Sequence, residues 1–245
     1  MLCAFFDDSG THASSAVVAM GGLLGTEEQW DVFESSWTSL LASPLPGKPR
    51  LKQFHLSPCR ARLDEFQDYG WAEIDLITHN FRKVILDVGL VTIACAVNKV
   101  AWDELIVGEI AAQTGSPEEL CFHKCMESML NTIRLRKPGE SVFVLFDQGV
   151  RRQLQDYAMF YESQREEHPE ISAIKFAPVA KIVALQGADM IATETYQYAL
   201  EWIKNRESPV PNPHFRDYIK RELSHGQIMD REQIKGIVDR VRETL

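Results

Sequence analysis

The chain has 245 residues, of which 45% are hydrophobic and 25% are charged, and this composition excludes a protein that is disordered over most of its length. Its 26 basic and 35 acidic residues give a net charge of −9, which excludes a uniformly basic nucleic-acid coat but not a local basic groove. No window approaches the roughly 18 uncharged apolar residues of a membrane-spanning helix. We therefore expect one main domain that does not insert into a membrane.

The cysteines predict the redox state of the protein. They stand at positions 3, 59, 95, 121 and 125. Their number is odd, no pair has the C-x-x-C spacing, and the N-terminus has no basic region of a secretory signal, so we expect a reduced, cytoplasmic chain. Cys121, His123 and Cys125 are spaced like half of a zinc site. In a helix, however, residues two apart point about 200° apart, and buried thiols are the simpler interpretation.

The N-terminal part predicts a hairpin followed by a helix. An apolar run over 1–6 ends at Asp7-Asp8-Ser9-Gly10, and a second strand is expected over 15–24. A strand pair joined by such a short turn must be antiparallel. Thr26 and Gln29 form the capping-box pattern of a helix. The apolar face of that helix has helical spacing and consists of Trp30, Phe33, Trp37, Leu40 and Leu41.

The middle of the chain alternates helices with short apolar runs. A proline-rich loop is expected over 44–49, a short edge strand carrying His55 over 51–56, helices over 60–68 and 71–88, and a core strand over 90–97. Ser116, Pro117 and Glu119 mark the start of a helix that runs to about Arg136.

The C-terminal half continues this alternation. Strands are expected over 141–146 and 171–177, and helices over 151–168 and 184–205. The fold class is therefore α/β with a mixed sheet flanked by helices, in which the strands separated by helices are expected to be parallel. Three prolines in 207–213 suggest a linker. We accordingly divide the chain into a domain over 1–205 and a C-terminal helical extension over 206–245, packed on the same domain, whose last helix is capped by Asp230.

Three aspartates have an unusual apolar context. Asp7 and Asp147 each end a buried strand, and Asp189 lies in the apolar stretch Gln186-Gly187-Ala188-Asp189-Met190-Ile191-Ala192. Charges there are costly unless they are paired, and the carboxyl ends of α/β strands are where sites form. If these acids meet, their repulsion requires a cation, for which Mg²⁺ or Mn²⁺ is suited. The alternatives are a turn at Asp7, a turn or cap at Asp147, and a helix-dipole role for Asp189.

Two of these segments also carry a resemblance. Phe5-Phe6-Asp7-Asp8-Ser9-Gly10 resembles the Tyr/Phe-x-Asp-Glu-Ser-Gly opening of the domain-of-unknown-function 3800 family. Leu185-Gln186-Gly187-Ala188-Asp189-Met190-Ile191-Ala192 is similar to that family's late Leu-Gln-x-Ala-Asp-x-Ile-Ala helix. The resemblance spans roughly residues 2–205. It implies a ribonuclease-H-like fold with a metal-dependent nuclease site in which Asp7, Asp147 and Asp189 are catalytic metal ligands.

Other residues are assigned supporting roles in such a site. Asp8 stands where the family has Glu, and it reaches the metal of Asp7 only if the strand breaks between them. Gln186 and Thr193 share the helix face of Asp189 and are candidates to orient it, whereas Glu194 should point elsewhere. Small residues, Ala188 and Ala192, would let that helix approach the sheet closely.

Candidate substrate contacts complete the hypothesis. They are Ser9, His55, Arg151 and Arg152; the arginines follow the Asp147 turn in a locally basic stretch and would hold phosphates. The alternative interpretation of these arginines is a solvated helix start, and the alternative for His55 is a structural histidine. Trp71, Trp102 and Trp202 are interpreted as core residues rather than as stacking platforms.

The function predicted from the sequence is hydrolysis of RNA or DNA with two divalent ions, roughly 3.5–4 Å apart, bridged by Asp7. Two alternatives stay open. One is a ribonuclease-H-like fold that has lost catalysis and serves as a binding or regulatory module, in a mobile-element or defence system. The other is a phosphohydrolase of the haloacid-dehalogenase kind with Asp7 as nucleophile, although its second aspartate is replaced by Ser9. The sequence does not predict the oligomeric state.

Overall fold

The computed structural model describes residues 1–149, 152–164, 166–204, 218 and 224–244. Its centre is a six-stranded sheet with the strand order β5-β4-β1-β2-β3-β6. The strands are β1 (Leu2–Ser9), β2 (Val17–Thr26), β3 (Val91–Asn98), β4 (Val142–Asp147), β5 (Ile171–Ala177) and β6 (Ser224–Met229).

The helices described by the structure lie on both faces of this sheet. They are α1 (Glu27–Ala42), α2 (Leu56–Ala61), α3 (Trp71–Val88), α4 (Lys99–Leu105), α5 (Glu109–Thr114), α6 (Pro117–Arg136), α7 (Arg152–Ser163), α8 (Val183–Lys204) and α9 (Arg231–Arg242). Short 3₁₀ turns add Asp64–Phe66 and Val179–Lys181. One core packs the sheet against α4–α7 and α9, and a second packs its other face against α1, α2, α3 and α8. The predicted class, a mixed α/β sheet flanked by helices, is confirmed.

Strand directions agree with the prediction except at β3. β1 and β2 are antiparallel, and β4 is parallel to both β1 and β5. β3 was expected to be parallel to its neighbour, but it pairs antiparallel with β2. The reason is that α1 to α3 bring the chain back to the end of the sheet at which β2 finishes, so β3 must run in the opposite direction.

Local capping signals were reliable. Thr26 and Gln29 form the predicted capping box of α1, and Ser116 and Glu119 form that of α6. α3 has the predicted bounds. Each of these signals depends on neighbours within one turn, so the rest of the fold does not have to be known.

The segment before α3 corrects two predictions. Residues 51–56 form no strand, because Leu51 and Phe54 are buried among the helices of the second core instead of pairing with the sheet. The helix expected over 60–68 is displaced: α2 begins at Leu56 and is terminated by Arg62, which has a left-handed φ of 54°.

The C-terminal region corrects the prediction that 206–245 is helical throughout. β6 pairs in parallel with β3 and extends the sheet. Its sequence, Ser224-His225-Gly226-Gln227-Ile228-Met229, has few apolar residues because it lies at the sheet edge. The cap at Asp230 is confirmed. The predicted linker falls outside the described residues, and the boundary near residue 205 stays a prediction.

The cysteines form no metal or disulfide cluster. All five are free, and the Sγ atoms of Cys121 and Cys125 lie against backbone carbonyls of β2, at Val18 and Met20. Burial raises the pKa of both thiols well above the usual value, so they are inert core groups. Within the described ranges, every helix is too short or too polar to cross a membrane.

Candidate metal centre

Two aspartates lie side by side on neighbouring strands: Asp147 is the last residue of β4, and Asp7 lies two residues before the end of β1. These strands are parallel neighbours with Phe6 opposite Phe146, so Asp7 and Asp147 are the next residues along. The two phenylalanine rings stack 5.3 Å apart in the core on the α6 side of the sheet. Since side chains alternate along a strand, both aspartates face the opposite side, towards α8.

Helix α8 brings the third acid to this position. It packs across β1, β2 and β3, where Gly21 of β2 lies directly opposite Asp7. A Cβ atom at Gly21 would lie only 2.7 Å from the Cα atom of Ala192. Glycine on the strand and alanine on the helix thus permit a very close approach. Asp189, almost one turn before Ala192, is 4% exposed.

The electrostatic environment of Asp7 reports the proximity of these acids. Asp7 is 9% exposed, and its Oδ1 accepts the backbone N–H of Asp8 at 2.7 Å. Burial raises the pKa of Asp7 well above its usual value, and the negative charges of Asp189, Asp147 and Asp8 raise it further. The ionised form of Asp7 is therefore destabilised both by burial and by the negative charges of its neighbours.

Asp189 is held by the segment that leads into α2. Its Oδ1 lies 2.9 Å from His55 Nε2, and its Oδ2 accepts the backbone N–H of Leu56 at 3.1 Å. The hydrogen bond to Asp189 raises the pKa of His55 above its usual value, and burial opposes this increase. Asp189 thus already has one donor for each of its two oxygens.

Asp147 stabilises the turn that follows β4. Its Oδ2 accepts the backbone N–H of Gly149 and its Oδ1 accepts that of Val179, both at 2.7 Å. These contacts agree with the alternative interpretation of Asp147 as a turn or cap residue. They do not exclude a ligand role, because a carboxylate oxygen has a second lone pair.

We expect Asp147→Asn to lower the free energy of unfolding in chelator by about 1–2 kcal/mol. Asparagine supplies one acceptor where two backbone N–H groups now need one each, so one donor loses its partner. The matched variant, Asp7→Asn, should not lower the free energy of unfolding and should instead raise it, because this substitution removes a buried charge that its neighbours repel. Urea unfolding in EDTA measures both. If Asp147→Asn unfolded at the same urea concentration as the wild type, these turn contacts would contribute little to the free energy of unfolding.

Asp8 and Ser9 are the other predicted residues of β1. The strand continues without a break through Asp8, which pairs with Met20, to Ser9. The pleat therefore places Asp8 on the face opposite to Asp7 and returns Ser9 to the face of Asp7. The structure does not bring Asp8 to the same side as the three acids, although its charge acts on Asp7.

The predicted orienting residues of α8 have different roles. Gln186 does not bind Asp189: its Oε1 accepts the indole N–H of Trp37 at 3.0 Å and the backbone N–H of Phe54 at 2.9 Å. It fixes the residue just before His55. Thr193 is buried on the same helix. Glu194 points elsewhere as predicted, where it pairs with the buried guanidinium of Arg82.

The predicted substrate contacts are only partly within the described residues. Arg151 lies outside them, and Arg152 begins α7, with its side chain outside them. The His55 side chain is 45% exposed and is the predicted contact that directly touches one of the acids. Trp102 is buried as expected, but Trp71 is 64% exposed, so its interpretation as a core residue is wrong.

Sequence reasoning missed the donors that hold the carboxylates. Those donors are the backbone N–H groups of Leu56, Gly149 and Val179, and backbone groups carry no signal in residue type. It also missed Arg60 and Arg82, which surround Glu194. A buried acid on α8 signals that some cation must be nearby, but the sequence does not tell which one.

The donor set fits a hard divalent cation in its chemistry. Three carboxylates are the oxygen ligands that Mg²⁺ and Mn²⁺ prefer, and the charge environment of Asp7 would be relieved by a cation. The geometry is different: among the residues described by the structure, no group of three or more His, Cys, Asp or Glu side chains is arranged to hold a metal ion. Asp189 and Asp147 are instead held by donors of the chain itself.

Comparisons with known proteins gave distant structural likenesses. No protein-family model matches the chain, and no curated protein matches it. It is similar to a chain in the structure of the PCNA–ribonuclease HII complex from Archaeoglobus fulgidus, with 14% identity, a TM-score of 0.44, and coverage of 90% of this chain and 88% of that chain. It is also similar to ribonuclease H2 from Pyrococcus horikoshii OT3, with 14% identity, a TM-score of 0.46, and coverage of 99% and 100%.

The structure itself shows a mixed six-stranded sheet flanked by helices, as predicted. The function proposed below depends on the arrangement of the acids.

Proposed function

We propose that the protein is a divalent-metal-dependent nuclease that hydrolyses phosphodiester bonds in RNA or DNA. The single observation that carries the proposal is the position of Asp7, buried between Asp147 of the neighbouring strand and Asp189 of α8. Acids that repel one another in this way have a high energetic cost without a cation. A functional site is the simplest reason for a protein to keep these acids together despite their repulsion.

The cation would be held by Asp7, Asp147 and Asp189. When bound, it would activate water and neutralise charge on a phosphodiester. The protein's own residues would supply charge and orientation: the neighbouring strands β1 and β4 fix Asp7 and Asp147, and the Leu56 N–H orients the Asp189 carboxylate. The proposed substrate contacts are Ser9, on the face of β1 that carries Asp7, and His55, which touches Asp189. Arg151 and the side chain of Arg152, the other two proposed contacts, lie outside the described residues.

The proposal includes a relationship to the domain-of-unknown-function 3800 family. Its two end motifs lie about 180 residues apart in the sequence. What supports the relationship is that the acids of those motifs, Asp7 and Asp189, are close enough for the charge of one to raise the pKa of the other.

A binding module that has lost catalysis is the second candidate function. The observation that favours it is that Asp189 and Asp147 are satisfied by His55 and by backbone N–H groups without any metal. The haloacid-dehalogenase alternative is disfavoured, because Ser9 stands where that family has the second aspartate that transfers a proton to the leaving group.

Cleavage assays distinguish these functions. End-labelled single-stranded RNA, single-stranded DNA and an RNA–DNA hybrid are incubated with the protein in Mg²⁺, Mn²⁺ or EDTA. We expect cleavage of at least one substrate that requires the cation and stops in EDTA. Retention of a labelled strand on a filter without cleavage in either cation would instead support the binding module.

A further inference from the structure

The two oxygens of Asp189 are held in different ways. The donor to Oδ2 is the backbone N–H of Leu56, and this backbone is fixed. Leu56 is fully buried, and Phe54 is buried and stacks on Phe81 with ring centroids 4.1 Å apart. The Phe54 N–H is also bound to Gln186. The contact to Oδ2 is therefore part of the rigid core.

The donor to Oδ1 is free to move. It is the imidazole Nε2 of His55, whose side chain is 45% exposed, whereas the side chain of Asp189 is 6% exposed. Rotation of His55 about its own side-chain bonds would take the imidazole into solvent without moving Phe54 or Leu56. One hydrogen bond would be lost, and Oδ1 of Asp189 would lose its donor.

We propose that His55 is a side-chain latch that occupies Oδ1 of Asp189 and competes with a divalent cation for that oxygen. The inference rests on the proposed function and deepens it. The imidazole hydrogen bond and the cation draw on the electron density of the same oxygen, so the presence of one weakens the binding of the other, while the Leu56 N–H keeps the carboxylate oriented through Oδ2.

The proposal makes His55 a positioning residue with an inhibitory effect on metal binding. In the closed form, the imidazole supplies a hydrogen bond to the group of acids. Its removal should therefore do the opposite of removing a ligand: it should leave Asp189 in place, free one oxygen, and tighten metal binding. A residue that merely supports the fold would not change the metal affinity in this direction.

Calorimetric titration of the full-length protein with Mn²⁺ alone, at one pH and without nucleic acid, tests the latch. We expect His55→Ala to bind Mn²⁺ about 10-fold more tightly than the wild type, the value of one charge-assisted hydrogen bond. His55→Gln, which keeps a weaker donor, should lie between the two and also serves if His55→Ala folds poorly. His79→Ala, a change at an exposed histidine of α3, is the matched control and should equal the wild type.

The outcomes separate the two proposals. Equal Mn²⁺ affinities in the wild type and His55→Ala would overturn the latch and leave the nuclease proposal standing. Weaker binding in His55→Ala would also overturn the latch, because it would make His55 a ligand or an orienting group. No Mn²⁺ binding in the wild type or in His55→Ala would overturn both proposals.

Discussion

Asp7→Asn is expected to reduce metal-dependent cleavage by on the order of 10³-fold, the effect of losing about 4 kcal/mol of charge stabilisation in the transition state. The substitution preserves the size of the side chain and its acceptor for the Asp8 N–H. It removes the one charge that lies between Asp147 and Asp189. Initial rates of cleavage in Mg²⁺ and in Mn²⁺ measure the loss.

Stability measurements make this test specific. Because the ionised Asp7 is buried and repelled by its neighbours, the asparagine variant should unfold at an equal or higher urea concentration in EDTA. Asp75→Asn, on the exposed side of α3, controls for loss of a carboxylate elsewhere and should retain full activity. Cleavage by Asp7→Asn at the wild-type rate would remove Asp7 from the mechanism and with it the proposed metal centre.

Gly21→Ala is expected to destabilise the protein by about 3 kcal/mol, at the upper end of the usual cost of overpacking. The added methyl group would meet the backbone of α8, at the Cα atom of Ala192 and the carbonyl carbon of Ile191, both 2.7 Å away. Helix backbone cannot rotate aside as a flexible side chain can. The helix must therefore shift from the sheet, and Asp189 moves with it away from Asp7.

Gly226→Ala is the matched control for this prediction. Gly226 is also a strand glycine of the same sheet, in β6, but a Cβ atom there would have no heavy atom within 4 Å. Its substitution should change the free energy of unfolding little. Thermal and urea unfolding of both variants compare the two sites. If Gly21→Ala were as stable as Gly226→Ala, the close approach of α8 would not hold the acids together.

The sequence alone determined the elements that are encoded locally. The apolar runs before Asp7 and Asp147 predicted two strands, because burial on both faces requires continuous apolar residues. β4 ends at Asp147 as predicted, whereas β1 continues past Asp7 to Ser9, because Asp8 and Ser9 still pair with β2. The capping boxes at Thr26 and Ser116 predicted where α1 and α6 begin. Two candidate ligands could therefore be assigned to neighbouring strand ends, and Asp8 could be ranked below Asp7, from the pleat of a strand alone.

Only the tertiary structure decided what surrounds those acids. The position of Asp189 next to Asp7 depends on Gly21, which lies 168 residues earlier in the chain and admits α8 to the sheet. The contact of His55 with Asp189 depends on α2 beginning at Leu56, where a strand was expected. The sequence of β6 has no apolar pattern that would predict its pairing with β3 at the sheet edge. Such features arise from packing between distant segments and from backbone N–H groups, and neither is written in the type or spacing of nearby residues.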